Sequence, residues 1–396
     1  VSGAPRDRPR AGVPARSIAW PIVSSKGQKM ATIRDVAQRA GVAPSTVSYV
    51  FNGSRSISEE TRRKVREAVE ALGYHPRASA RTLRSSRTRV IALALPRAAG
   101  GRHAVDGRFA IELSDAAHGL GYDLLLTTSE DKAEGLRRVA LSGLADAAVL
   151  MAVDMEDARI DVVRELAFPA ALIGRPADED ALPWADLDWA EAAATTVRTL
   201  AAAGHRELVY LAPAEREVSA GRSYALRGIA GARRGAAEAG CAVEVAHALD
   251  DPDRMAARLG VLFGDGRGGG PVAGRRPTAL VVQHPSAHHH ILASLHAATG
   301  LRVPEDLAMV VIGTLPDDPS SSRLPRIELP VRTLAVEVTR LAVAAAEALR
   351  APAAGLDGAD DRPAARLLAE SVGHLLVPPT LLPGATGSLT ARPPAL

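Results

Sequence analysis

Cysteine is almost missing from this chain: Cys241 is the one thiol in 396 residues. That excludes an intramolecular disulfide and fits a reducing compartment, the cytoplasm. Aromatic residues make up only 3% of the chain, so the core has to be built from Ala, Val and Leu. No stretch approaches the roughly 18 uninterrupted apolar residues of a membrane-spanning helix. Residues 264–270 are glycine-rich but lack the strand–turn–helix setting of a phosphate loop. No nucleophile–base pair stands out, so no catalytic residue and no cofactor is assigned. His284 and His288 are four apart, as helical metal ligands are, and His289 and His290 follow. Pro285 interrupts any helix between them and no Cys or acidic cluster joins them, so a solvated helix start is the expectation.

What is present is unevenly distributed. The formal charge of +3 hides a basic head on an acidic body. Residues 1–29 hold six Lys/Arg against one Asp, and residues 30–89 hold twelve against five. The remainder holds 30 against 39. A basic head suits DNA, because phosphate contacts dominate affinity. Residues 1–29, rich in Pro, Arg, Gly and Ser, read as a disordered basic tail. Met30 stands just before the first motif. Either the chain's true start lies there, or the tail is a basic arm that adds non-specific affinity for DNA.

The chain is organised around residues 32–83. Ile33, Val36 and Ala37 fall at i, i+3 and i+4, one apolar face of a first helix. Gly41 follows its last turn, where a left-handed residue is needed. Pro44 sits where a second helix starts. Val47, Val50 and Phe51 form the second apolar face, which leaves Pro44, Ser45, Ser48, Tyr49 and Asn52 facing out. This is a helix-turn-helix pattern. Ser58 is an N-cap for a third helix, with Glu59 and Glu60 in its first turn and Val65, Ala68, Val69 and Leu72 as its stripe. Beyond Gly73, Pro76 breaks the chain. Arg77 to Arg84 then offer two basic turns around one large apolar side chain, Leu83.

These words, in this order and spacing, resemble the lactose-repressor (LacI/GalR) family of bacterial transcription factors. The resemblance spans about residues 30–380, firm over the three-helix unit plus hinge at the head and looser in the body. It implies that Pro44, Ser45 and Tyr49 face bases in the major groove. Tyr49 replaces the arginine often found there, so a bidentate guanine contact is lost. It also implies that Thr32, Thr46, Ser48, Asn52 and Tyr74 grip phosphates, with capping and packing as the plainer alternative. Residues 77–89 become a hinge helix and linker, in which Leu83 wedges into the minor groove, flanked by Arg77 and by Ala80, which permits close approach.

From residue 90 short apolar runs alternate with helical stretches: Val90 to Leu95, Asp123 to Thr127, Ala147 to Met151, Ala170 to Ile173, Glu207 to Leu211, Thr278 to Val282 and Ala308 to Ile312. The alternation means parallel sheets covered on both faces. The fold class expected is α/β: a three-helix helix-turn-helix domain plus hinge helix, joined to a two-subdomain doubly wound, periplasmic-binding-protein-like body over residues 90–350. Residues 261–277 read as a surface loop. Residues 351–396 read as a linker, one last strand and a frayed end.

The resemblance also points to an effector cleft between the subdomains, with Asp188, Trp189, Arg227, Gln283 and His284 as its residues. Here the sequence departs from the sugar-binding members. Arg227 stands one place early in its word, Gln283-His284 replaces Asn-Asp, and Leu315 replaces an Asp. A sugar needs such charged, bidentate partners, so the cleft is expected to hold something less polar, or nothing. A one-residue slip in the alignment would restore Arg227. The expected function is a DNA-binding transcriptional regulator: a cytoplasmic, nucleoid-associated repressor that binds a double-stranded operator as a homodimer and answers to an unidentified small-molecule effector. The alternative is a solute-binding module with a vestigial head.

Overall fold

The structure, a computed structural model, describes residues 32–52, 57–72, 87–96, 103–264, 276–283, 288–350, 373–385 and 389. The chain forms two compact units that divide between Ser86 and Arg87.

The first unit contains α1 (Ile33–Ala40), α2 (Pro44–Asn52) and α3 (Glu59–Leu72). Thr32 caps α1 through a reciprocal capping box. The Asp35 carboxylate accepts from the Thr32 amide at 2.7 Å, and the Asp35 amide donates to the Thr32 hydroxyl at 3.4 Å. Gly41 ends α1 at φ 66°, ψ 34°, a left-handed cap that a side chain would strain. Val36, Ala37, Ala40, Val47, Val65 and Ala68 are buried together and tie the three helices into one small core.

The second unit carries two six-stranded sheets. The first runs β2 (Asp123–Ser129), β1 (Val90–Pro96), β3 (Ala147–Leu150), β4 (Ala170–Ile173), β5 (Trp184–Leu187) and β11 (His374–Val377), all parallel. The second runs β7 (Ala242–His247), β6 (Glu207–Ala212), β8 (Ala279–Val282), β9 (Ala308–Thr314), β10 (Arg326–Glu328) and β12 (Leu381–Leu382), parallel except for the last pair. The two orders repeat one another. Central strands such as Ala147–Leu150 and Ala279–Val282 are buried at every residue, as strands covered on both faces must be.

The helices of this unit are α4 (His103–Gly119), α5 (Lys132–Ser142), α6 (Ala158–Leu166), α7 (Trp189–Ala202), α8 (Glu215–Ser219), α9 (Ser223–Ala239), α10 (Pro252–Phe263), α11 (His288–Thr299) and α12 (Val331–Ala348). Two of them are exchanged. Helix α7 follows the first sheet yet packs on α9 and the second sheet, while α12 follows the second sheet yet packs on β3, β4, β5 and α4. With the return from β11 to β12, the chain therefore crosses between subdomains three times. The α7–α9 crossing depends on glycine: a Cβ at Gly231 would lie 2.0 Å from the Ala190 carbonyl oxygen, and one at Gly235 2.6 Å from that of Ala194.

Two expected boundaries move. The loop read over residues 261–277 begins later, because α10 runs to Phe263 and buries Leu262 and Phe263. The residues from 351 on hold more than one last strand, since β11 and β12 complete both sheets.

Candidate DNA-binding face and effector cleft

Within the first unit, Pro44 and Ser45 are exposed on α2, and Thr46 and Tyr49 are half-buried beside them. Ser48 corrects the sequence reading. It is only 8% exposed, because it follows the fully buried Val47 at the edge of the face that α2 turns into the core. Thr32, expected at a phosphate, spends its hydroxyl on Asp35. Asn52 is the last residue of α2. Tyr74, Arg77, Ala80 and Leu83 lie outside the described residues.

The described face has an unusual charge pattern. Helix α2 holds no Lys, Arg, Asp or Glu. Three basic residues of α3 are matched along their own helix, Arg62 to Glu59 at 3.7 Å, Arg63 to Glu67 at 3.1 Å and Lys64 to Glu60 at 2.7 Å, and Arg66 is exposed. Arg34 and Arg39 are the exposed cations of α1. Helix α2 therefore offers only neutral hydrogen-bonding groups and apolar surface.

In the second unit, a cavity of about 50 Å³ lies where both sheets bring their carboxyl ends together, the place where doubly wound sheets hold ligands. Val105, Phe109, Met151, Ile173, Trp189, Tyr224, Leu329 and Leu334 make its walls apolar, and Asp186 and Ser223 supply the polar side chains. Trp189 Nε1 donates to Asp186 Oδ1 at 3.0 Å. Asp186 is 3% exposed, and its Oδ2 is buried without a hydrogen-bond partner. Burial pushes this carboxyl up to about 7, against the pull of the Trp189 bond and of Arg175. The Trp189 ring also lies 5.5 Å from that of Tyr224. Its far edge sits over Gly313 (φ 84°), where a Cβ would approach to 2.8 Å.

A latch closes one side of the cleft. The Met155 amide donates to Gly221 O at 2.8 Å, and the Ser223 amide to Val153 O at 3.0 Å. Between these bonds Asp154 pairs with Lys132 of its own subdomain and with Arg222 of the other. Arg222 also reaches Glu217 at 3.3 Å.

The residues expected in the cleft separate. Trp189 lines the cavity. Asp188 caps α7, accepting from the Glu191 amide at 3.0 Å. Arg227 is turned to the loop after β4, donating to Pro176 O at 2.8 Å and to Glu179 Oε1 at 3.3 Å. Gln283 is wholly buried; it accepts from the Tyr210 hydroxyl and donates to Tyr224 O, both at 2.8 Å. It braces the Tyr224 wall from behind. His284 lies outside the described residues. The sequence reading does not single out Asp186, although a lone acid inside the apolar stretch Trp184-Ala185-Asp186-Leu187 is a signal.

Comparison with known proteins agrees with this geometry. Residues 32–77 match the model for bacterial regulatory proteins of the lacI family, and residues 197–369 match that for a periplasmic binding protein-like domain. Catabolite control protein A of Priestia megaterium is 29% identical over 46% of this chain and 54% of its own length. The transcriptional repressor PurR of Pectobacterium atrosepticum is 35% identical over 41% of this chain and 44% of its own. The aligned region thus spans about half the length of these relatives. The fold matches a lac repressor dimer bound to operator and the anti-inducer ONPF, at TM-score 0.70 and 20% identity, over 91% of this chain and 100% of that one. A complex of the transcriptional regulator CelR with cellobiose matches at TM-score 0.58 and 21% identity, over 90% and 100%.

Proposed function

We propose that this chain, which belongs to the lacI family of bacterial regulatory proteins, is a repressor that binds a pseudo-palindromic operator as a homodimer under the control of a small-molecule effector. The observation that carries the reading is the three-helix unit, capped at Thr32 and Gly41, with Pro44 and Ser45 exposed on its second helix. A helix of this length reads few base pairs, and two-fold pairing doubles the site. Pro44, Ser45 and Tyr49 are the proposed base readers. Thr46, Asn52 and Tyr74 are the proposed phosphate contacts, and Arg77, Ala80 and Leu83 the minor-groove element.

A groove of about 410 Å³ between α4 and α12 supports the dimer. Glu112 and Asp115 line one wall, Arg332 and Arg340 the other, and Leu120 and Val336 stand exposed between them. Opposite charges on the two walls suit a two-fold contact in which α4 of one copy meets α12 of the next. Effector control acts by linkage: a ligand that prefers one arrangement of the two subdomains shifts the population that binds DNA.

The test is selection from random duplex DNA, followed by titration at two salt concentrations. Leu83→Ala is expected to keep the fold and to weaken operator binding more than non-specific binding. Equal loss on both DNAs would remove Leu83 from the readout. Absence of DNA binding even at low salt would favour a solute-binding module instead.

A further inference from the structure

We infer that the inter-subdomain cleft takes a small ammonium ion with an apolar body, whose N–H groups meet Asp186 Oδ2. This rests on the effector reading above and names the ligand's chemistry. Three observations converge on it. The first is the unpartnered oxygen itself: a carboxylate accepts and never donates, so a donor is what it lacks. The second is how the charges around it are paired. Arg175 lies 3.5 Å from Glu179 and 4.0 Å from Asp188, and Arg227 lies 3.3 Å from Glu179. Both guanidiniums are thus engaged by other carboxylates, and neither hydrogen-bonds the Asp186 Oδ2 that lies at the cavity. The third is the wall. Phe109, Trp189 and Tyr224 bring aromatic rings to the same space, and rings attract a cation through their faces.

A sugar fits poorly. Each hydroxyl needs a partner, and beyond Asp186 and Ser223 the lining side chains offer little but hydrocarbon. A compact amine with an alkyl or aryl body uses one polar contact and buries the rest. The raised carboxyl agrees, since it stays partly protonated near neutrality until a cation stabilises its charge. The charged groups that act on Asp186 are Arg175, from the loop after β4, and Arg227, from α9; Glu179 and Asp188 pair with these arginines.

The experiment is calorimetric titration of the full chain with benzylammonium, its neutral isostere benzyl alcohol, and cellobiose. Benzylammonium is expected to bind at least about tenfold tighter than the alcohol. It is also expected to bind about tenfold tighter near pH 8 than near pH 6, as Asp186 ionises around 7. Asp186→Asn is expected to abolish both preferences, and the isostere comparison in the unaltered chain stands without that variant. Equal binding of alcohol and amine, preference for cellobiose, or no saturable binding of the amine would each overturn the assignment. Operator selection on the same preparation keeps the readings apart. Selection intact with no amine binding sinks only the ligand class, whereas failed selection sinks the regulator.

Discussion

Asp157 and Asp186 are both buried aspartates of the first subdomain, and the fold treats them in opposite ways. Asp157 meets the buried Arg159 guanidinium at 2.9 and 2.6 Å and caps α6 with its remaining capacity. Burial resists its charge, but the Arg159 bonds outweigh that and hold it down at about 2. Asp186 has one indole donor, an orphan oxygen and a carboxyl near 7. A carboxylate saturated by its own chain is scaffold. One left half-satisfied beside an apolar cavity is a place where something else completes the set.

The comparison can be broken at either acid. The largest effect is expected from Arg159→Met, which strands a buried charge at Asp157. Urea unfolding should show a loss of about 3–5 kcal/mol. A loss below about 1 kcal/mol would mean that Asp157 reaches solvent. Next is Asp186→Asn, expected to raise stability near neutral pH by on the order of 3 kcal/mol.

The signs of the pH dependence follow from the two shifts. The folded-state pKa of Asp186 lies above its unfolded value, so its neutral form is fully tolerated below about pH 4. Stability then falls as pH rises towards 7. Asp157 is the reverse, stabilising above about pH 4 and losing that as pH falls through 2. Together they place a maximum near pH 4. Thermal melts of Asp186→Asn should lack the decline between about pH 4 and 7, and an unchanged decline would assign it elsewhere. The smallest effect is expected from Gly313→Ala, roughly 1–2 kcal/mol. A Cβ there enters a left-handed backbone position and pushes the Trp189 ring off its seat. Amine binding should suffer more than stability, and the opposite ranking would place Trp189 in the core rather than the site.

The sequence carried most of the architecture because periodic burial and capping are local. Gly41 and Val65 take the roles that spacing assigns them, and the strand runs from Val90 to Ile312 all sit in sheets. It carried the cleft less well. Arg227 and Gln283 fall at positions where a resemblance expects ligand contacts, yet their partners are carbonyls, a carboxylate and a hydroxyl that only the folded chain brings near. Ser48 turns inward, which spacing does not show because a small polar residue beside Val47 tolerates either face. The exchange of α7 and α12 depends on three crossings, which no local pattern records.

The most direct measurement remains selection of random duplex DNA by the full chain, read by sequencing the bound pool. Enrichment of a two-fold site with a fixed centre, lost on Pro44→Ala/Ser45→Ala/Tyr49→Ala substitution, is the expected result. A bound pool no different from the input, with binding governed by salt alone, would contradict the account.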